Sequence, residues 1–312
     1  DKQNQWKKIL TFESKEENPQ TTYDAESGRV FVAEKNTIYS IDINSKTIDT
    51  LRVKQGHPFS GKSNQLIYDR KQKQLLSYTI QSNNILTFNF NKMEWSGMPD
   101  KEVNSLQNHN RFVDTRNHRL FLFGGYGSHK FSSNIYIYDF STRTWQAKPH
   151  ASVISPRCLS ALGQANDSTL LIWGGQGTLS GNQEDSPKNT YDLYELNINT
   201  LSSRIVWQSI PVEGHLTFSN SMVVDDTDKN IYALAFDNYR YNSKLFLLRI
   251  DPDLPESYIV SDSINYRFND TRSFSDLFRY EKANLLIAMV QQPKEQGKGT
   301  IIELYSLRSE EH

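Results

Sequence analysis

Residues 119–145 read RLFLFGGYGSHKFSSNIYIYDFSTRTW. This segment contains an apolar run, the diglycine Gly124-Gly125, a second run rich in Ile and Tyr, and Trp145 at its end. Short apolar or alternating runs bounded by turn residues are typical of β-strands rather than helices. The segment therefore predicts two strands on either side of a diglycine loop, followed by a third strand that carries the tryptophan.

The same pattern recurs along the chain, and a fixed period is the signature of a repeat fold. Asp24, Asp69 and Asp114 each end an apolar stretch, at even intervals of 45 residues. Each of these three units also contains two large apolar residues seven positions apart: Ile41 and Ile48, Phe88 and Trp95, Tyr138 and Trp145. The pattern of each unit predicts four strands. The first strand ends at a turn in which the Asp carboxylate accepts hydrogen bonds from nearby backbone N–H groups.

The later units are looser, and the last one lacks a strand. Residues 5–10, with Trp6, resemble the strand around Trp145, so we expect them to pair with residues 300–307 and close the ring. Closure protects sheet edges that would otherwise pair with other chains. The predicted fold is a single all-β domain, a six-bladed β-propeller of four-stranded antiparallel blades closed by the N-terminal strand. Its blades are expected at 20–58, 63–102, 108–150, 155–212, 217–262, and 270–308 plus 3–12.

These units resemble Kelch repeats, as found in the superfamily that includes the central domain of galactose oxidase. An apolar run, a diglycine, and then a Tyr and a Trp follow one another between Phe121 and Trp145. Residues 155–198 carry the first half of the pattern, ending its apolar run at Trp173-Gly174-Gly175. The resemblance implies a ring in which two kinds of segment line one mouth of the central channel. These are the residues that precede each first strand and the loops between the second and third strands.

Composition excludes several classes of function. The net charge of −1 argues against a nucleic-acid partner, which requires a concentrated basic surface. No apolar stretch reaches the roughly 18 residues of a membrane helix. The single cysteine, Cys158, is expected to be a buried thiol rather than half of the Tyr–Cys cross-link of the copper radical oxidases. No two histidines have metal-ligand spacing, so we expect no metal and no cofactor.

The candidate ligand-binding residues follow from the resemblance. Those that precede first strands are Lys62, His109, Arg111, Arg157 and Arg272. Those on loops between second and third strands are Tyr126, His129, Gln176, Tyr239, Arg240 and Tyr241. Arginine holds carboxylates in a bidentate manner and tyrosine stacks on sugar faces, so this set predicts a channel-mouth site for a protein, a glycan or a carboxylate-bearing ligand. For each single arginine, a structural bond to a loop carbonyl is the competing interpretation.

We interpret the chain as a non-catalytic recognition or sensor domain, extracytoplasmic (periplasm or cell surface), that binds a protein or a glycan. The polar ending at residues 308–312 resembles a domain boundary, after which a membrane anchor and an output domain could follow. One alternative is an enzyme, a Kelch-type sugar mutarotase or epimerase acting on an acidic sugar. That chemistry needs a titratable pair across the mouth, such as His109 and a carboxylate. A second alternative is an intracellular protein-interaction scaffold.

Overall fold

The computed structural model describes residues 4–59, 61–80, 85–97, 106–149, 153–251 and 253–308. The predicted blade limits at residues 3, 102 and 150 lie outside these ranges. Helical structure in the described ranges is confined to three single 3-10 turns, at Gln183–Asp185, Glu213–His215 and Glu281–Ala283. None of these turns has the length or the apolar character needed to cross a membrane. The predicted all-β class is confirmed.

The described residues form 28 strands. The first half of the chain contains β1 (Lys7–Ser14), β2 (Gln20–Asp24), β3 (Arg29–Ala33), β4 (Thr37–Asp42), β5 (Thr47–Arg52), β6 (Leu66–Asp69), β7 (Gln74–Ser77), β8 (Leu86–Asn89), β9 (Glu94–Ser96), β10 (Asn110–Asp114), β11 (Arg119–Phe123), β12 (Tyr126–Gly127), β13 (Lys130–Phe131), β14 (Ile135–Asp139) and β15 (Thr144–Lys148).

The second half contains β16 (Arg157–Cys158), β17 (Ala161–Asn166), β18 (Thr169–Gly177), β19 (Lys188–Asn197), β20 (Ser203–Trp207), β21 (Thr217–Val224), β22 (Ile231–Phe236), β23 (Asn242–Ile250), β24 (Ser257–Ile259), β25 (Ile264–Arg267), β26 (Phe274–Tyr280), β27 (Leu285–Pro293) and β28 (Thr300–Arg308).

The strands assemble into antiparallel four-stranded units. Units 1, 2 and 3 are the separate sheets β2-β3-β4-β5, β6-β7-β8-β9 and β10-β11-β14-β15. Unit 4 (β17 to β20) and unit 5 (β21 to β24) share one sheet, joined by a single parallel bridge between Leu162 and Ser221. Unit 6 has the order β1-β28-β27-β26. The predicted propeller arrangement is confirmed, and the count of six blades stays a prediction because units 4 and 5 are not separate sheets.

The packing between units supports a closed ring. Successive residues of a strand point to opposite faces of its sheet, so Phe121 faces one neighbouring unit while Leu120 and Leu122 face the other. Six buried apolar clusters lie between successive units of the described chain, and one of them joins unit 6 to unit 1 through Phe278 and Val30. The cluster between units 5 and 6 also includes residues of units 3 and 4. Because both faces of the middle strands are covered, these strands appear in the sequence as continuous apolar runs.

The seven-residue spacing corresponds to cross-strand pairing. The residues seven positions apart lie directly opposite each other on the third and fourth strands of their units: Ile41 with Ile48, Phe88 with Trp95, and Tyr138 with Trp145. The ring centroids of Tyr138 and Trp145 are 5.2 Å apart. Such side chains stabilise a sheet through their mutual packing, which explains why the spacing recurs.

The N-terminal strand completes the last unit, as predicted. Strand β1 runs antiparallel to β28, from Lys7 opposite Ser306 to Ser14 opposite Thr300. The prediction that Trp6 matches Trp145 is wrong, because β1 begins one residue later. Trp6 lies outside the strand, and its indole Nε1 donates to the Ser261 hydroxyl at 3.1 Å. This bond gives a buried N–H group the acceptor it needs and attaches the N-terminal segment to unit 5.

The propeller has two distinct faces. Each first strand begins on the face where its second and third strands are connected, since Asn110 lies opposite Phe123 and Thr217 lies opposite Phe236. We call this the loop face. The first strands end on the opposite face, the Asp-turn face, where the predicted carboxylate turns form. One example is Asp114, whose Oδ1 accepts from the Asn117 backbone N–H at 3.2 Å.

Gly124 shows why the diglycine is required on the loop face. Its φ is +69° and that of Gly125 is +107°, both in the region that favours glycine. A Cβ atom on Gly124 would lie 2.7 Å from the Arg157 carbonyl oxygen of unit 4. The diglycine therefore allows the backbones of units 3 and 4 to approach closely at this face.

Candidate functional site

Arg157 stands at the entrance of unit 4 and is buried, with 2% of its side chain exposed. Its Nη1 and Nη2 donate to the two carboxylate oxygens of Asp192 at 2.7 and 2.9 Å. The same guanidinium also donates to the carbonyl oxygens of Gly174 and Ser155, each at 3.0 Å. Every one of these partners belongs to unit 4, so Arg157 fixes the entrance of its own unit and is not free for a ligand.

Asp192 is the residue that sequence reasoning missed. Burial raises the pKa of its carboxyl, but the hydrogen bonds and the charge of Arg157 outweigh this effect and hold the pKa below its usual range. The Tyr194 hydroxyl adds a hydrogen bond to Oδ2 at 2.7 Å. An Asp inside a strand carries no sequence signal for an arginine 35 positions earlier.

Arg111 lies within the channel rather than at its mouth. Its Nη2 donates to the Thr21 carbonyl oxygen of unit 1 at 3.0 Å, and its Nη1 donates to the Leu66 carbonyl oxygen of unit 2. The Asp276 carboxylate of unit 6 is 3.9 Å from Nη2. Arg111 of unit 3 therefore connects its own first strand with those of three other units across the axis. These contacts fit the interpretation in which an entrance arginine has a structural role rather than a ligand-binding one.

His109 is buried beside the channel. Its Nδ1 donates to the Leu106 carbonyl oxygen at 2.6 Å, since a carbonyl can only accept. Nε2 therefore accepts from the Tyr78 hydroxyl at 2.8 Å. Burial is the main cause that lowers the pKa of the His109 imidazole to about 4, so the ring is neutral at pH 7. Both ring nitrogens are occupied, and neither partner is a carboxylate.

Arg272 and Lys62 lie at the axial opening of the loop face. They line a cavity of about 20 Å³, which holds about one water molecule. Arg272 Nη2 donates to the Gly299 carbonyl oxygen at 2.7 Å and so is tied to unit 6. Lys62 is exposed. The cavity at these two residues is therefore small, and a ligand site at the channel mouth stays a prediction.

The loop between β22 and β23 is exposed on the same face. Tyr239, Arg240 and Tyr241 form its tip, with 63% of Tyr239 and 50% of Tyr241 exposed. The Arg240 side chain is 77% exposed, and its Nε lies 3.3 Å from Asp237 Oδ2, a short-range ion pair that contributes little to stability. These three residues are exposed, whereas His109 and Arg157 at the entrances are buried.

Loops of three neighbouring units meet beside this tip. The Gln176 amide of unit 4 donates to the Tyr239 hydroxyl of unit 5 at 3.4 Å. Tyr126 of unit 3 donates to Gln183 Oε1 of unit 4 at 2.5 Å, and His129 Nδ1 donates to the same oxygen at 3.1 Å. Four of the predicted loop residues therefore form cross-unit hydrogen bonds: Gln176 with Tyr239, and Tyr126 and His129 with Gln183.

These loops surround a cavity of about 220 Å³, which we call the loop-face pocket. Amide side chains make up much of its lining, and aromatic rings form part of its wall. The amide-bearing residues are Gln107, Asn108, Gln176, Gln183 and Asn238, and the aromatic ones are Tyr126, Phe131 and Phe268. Each amide has donor and acceptor atoms, so the pocket can hydrogen-bond both the N–H and the C=O groups of a ligand.

Cys158 lines the inner wall of this pocket. Burial raises the pKa of its thiol to about 12, so the sulfur stays protonated and unreactive at neutral pH.

Within the described ranges, no three His, Cys, Asp or Glu side chains lie close enough together to hold a metal ion.

The fold and this site define a Kelch-type β-propeller whose exposed loops gather on one face. The family model described as the KLHDC2/KLHL20/DRC7 Kelch-repeats domain matches residues 70–253, more than half of the chain. The chain therefore belongs to this Kelch-repeat family. No curated protein matches it. Kelch domains generally bind proteins, so membership indicates a protein-binding domain.

Proposed function

We propose that this domain binds a partner protein on the loop face, through an extended segment that enters the loop-face pocket. The proposal rests on the loops of three units, which meet around an amide-lined pocket flanked by Tyr239, Arg240 and Tyr241. Tyrosine and arginine are enriched among the residues that dominate protein-binding energy. Amide side chains match the backbone groups of an extended peptide, which has unpaired donors and acceptors.

Apart from the long hydrogen bond between Gln176 and the Tyr239 hydroxyl, the tip side chains make few contacts within the described residues that would explain their size. Tyr239 and Tyr241 bury little surface, and the ion pair of Arg240 stays within its own loop. The loop is nevertheless held in place, because the Phe268 backbone N–H donates to the Tyr241 carbonyl oxygen at 2.8 Å. A preorganised loop loses little conformational entropy on binding.

Selection of peptides from a phage-displayed random library tests this proposal without a known partner. The immobilised wild-type domain should enrich a consensus peptide, and the triple variant Tyr239→Ala/Arg240→Ala/Tyr241→Ala should bind that peptide at least about tenfold more weakly in fluorescence anisotropy. Tyr258→Ala is the matched control, because Tyr258 is 47% exposed but lies on β24 of unit 5, away from the loop face. Equal binding by the triple variant would contradict the proposal.

The extracytoplasmic location and the role as a sensor within a membrane-bound regulator are separate proposals. They rest on the Asn- and Lys-rich composition of the chain. Fractionation of the native cells, with detection by an antibody against this domain, tests the location. Recovery in the cytoplasm would favour the scaffold alternative and would leave the loop-face proposal unaffected.

A further inference from the structure

The Asp-turn face has a second cavity, which we call the Asp-turn cavity. Its volume is about 390 Å³, which lies in the range of pockets that bind small molecules. First strands of several units line it, with Tyr23, Arg111, Asn220, Asp276 and Phe278 among its residues. It opens on the face opposite the loop-face pocket, so a ligand there would not compete with a partner bound at the tip of unit 5.

Every arginine that lines the Asp-turn cavity already has partners. Arg111 donates to backbone carbonyl oxygens of two other units. Arg70 Nη1 is 2.7 Å from Glu26 Oε2, and Arg279 Nη1 is 3.2 Å from Asp225 Oδ2. The lining contains no lysine. Each guanidinium is therefore paired with at least one group of the protein, although Arg279 Nε has no hydrogen-bond partner within the described residues.

Two acceptors in the wall of the cavity are incompletely satisfied. Asp276 Oδ1 accepts from the Ser221 hydroxyl and from the Leu277 backbone N–H, but within the described residues no hydrogen bond reaches Oδ2, which lies 3.9 Å from Arg111 Nη2. Burial raises the pKa of the Asp276 carboxyl even though the Arg111 charge opposes this effect. The carboxylate is thus incompletely compensated in the free protein.

Asn220 provides an independent sign of a missing donor. This residue is 5% exposed, and its Oδ1 has no hydrogen-bond partner among the residues that the structure describes. Its Nδ2 donates to the Ser275 carbonyl oxygen at 3.2 Å, which fixes the orientation of the amide because a carbonyl can only accept. Buried polar atoms are nearly always paired in proteins, so an orphaned acceptor beside a cavity indicates a site for a donor.

The walls and the rim also favour a cation. Tyr23 stacks on Phe278 with centroids 4.0 Å apart, and both rings line the cavity. Aromatic rings attract ammonium groups through their quadrupoles. At the rim, Asp226 and Glu281 are exposed, and neither forms an ion pair within the part of the chain that the structure describes. Their charges would draw a cation toward the opening.

We propose that the Asp-turn cavity binds a primary ammonium group, such as that of an aliphatic amine or a lysine-like side chain. The ammonium donates to Asp276 Oδ2, and the aliphatic part packs against Tyr23 and Phe278. An ammonium group supplies three donors and a positive charge, which are the features that this cavity lacks.

The probe for this site is n-pentylamine, which is protonated at pH 7, and n-pentanol is its uncharged match. Isothermal titration calorimetry should show saturable binding of the amine to the wild-type domain and no saturable binding of the alcohol. Asp276→Asn keeps an acceptor for Ser221 but removes the charge, and it should weaken amine binding at least about tenfold. Equal binding of amine and alcohol, or unchanged binding by Asp276→Asn, would overturn the proposal.

A second variant covers the case in which Asp276→Asn fails to fold. Gln164 is exposed and lines the same cavity, so Gln164→Trp should obstruct entry and abolish amine binding while leaving the melting temperature close to that of the wild type. Gln164→Ala is the matched control and should bind the amine as the wild type does. Full binding by Gln164→Trp would place the amine elsewhere and refute this site.

Discussion

The entrances of the first strands and the tips of the loops share one face but have opposite roles. At the entrances, Arg157 and His109 are buried and every polar group that they present is engaged by the protein. At the tips, Tyr239 and Arg240 are exposed and make only weak or local contacts. Residues of similar chemistry thus stabilise the ring in one region and are available to a partner in the other. Burial, rather than residue type, distinguishes the two.

Replacing Arg157 should give the largest effect on stability. Arg157→Met keeps much of the side-chain volume but leaves the Asp192 carboxylate buried without its partner, so we expect a loss of about 3–5 kcal/mol in the free energy of unfolding. Urea denaturation followed by tryptophan fluorescence measures this change.

Arg204→Met is the matched control for this comparison. Arg204 Nη2 is 2.8 Å from Glu195 Oε2 in the same unit, but the Arg204 side chain is 69% exposed, so the loss should stay below about 1 kcal/mol. The double variant Arg157→Met/Asp192→Leu should recover part of the stability, since it removes both charges. Equal losses for Arg157→Met and Arg204→Met would contradict the structural role of the entrance.

Acidification should reveal the buried, neutral state of His109. Its folded pKa of about 4 lies below the ordinary value of 6.5, so the unfolded chain binds a proton more readily between these values. The contribution of His109 to the free energy of unfolding is fully present above about pH 6.5 and is lost as the pH falls through 4. The whole contribution is about 3 kcal/mol.

Comparison of a His109 variant with the wild type separates the effect of His109 from that of the other titrating groups. His109→Asn should lose stability less steeply than the wild type between pH 6.5 and 4 in urea denaturation series. If the stability of His109→Asn falls with pH as steeply as that of the wild type, the buried, neutral state of His109 is refuted.

The tips should give the smallest effect on stability. Combined alanine substitution of Tyr239, Arg240 and Tyr241 should change the free energy of unfolding by no more than about 0.5 kcal/mol per residue, because exposed loop residues contribute little packing. Thermal unfolding by circular dichroism checks this expectation. A loss comparable with that of Arg157→Met would show that the loop stabilises the ring and would remove the contrast between the two regions.

The fold could be predicted because its signals are local. The pairing of Tyr138 with Trp145 follows from the length of one hairpin, and the turn at Asp114 depends on a side chain bonding its own neighbours. Trp6 shows the limit of such reasoning. Its sequence context matches a fourth strand, but its place is set by Ser261, which is 255 residues away in the chain.

The site could be predicted only in part for the same reason. A loop between two predicted strands identifies Tyr239 to Tyr241 as exposed, and the structure places them on the loop face with Tyr126 and Gln176. The roles of Arg111 and Arg157 depend on partners from distant strands, Thr21 and Asp192, which no local pattern indicates. Long-range pairing of buried charges is therefore the information that the sequence alone did not supply.

Hydrogen–deuterium exchange with and without the selected peptide tests the central claim most directly. We expect the peptide to slow exchange on the loop face, in residues 126–131, 176–183 and 237–241, while the turns on the Asp-turn face exchange as before. Protection confined to the turns that follow Asp24, Asp114 and Asp225 would refute partner binding on the loop face, because it would place the partner on the opposite face of the ring.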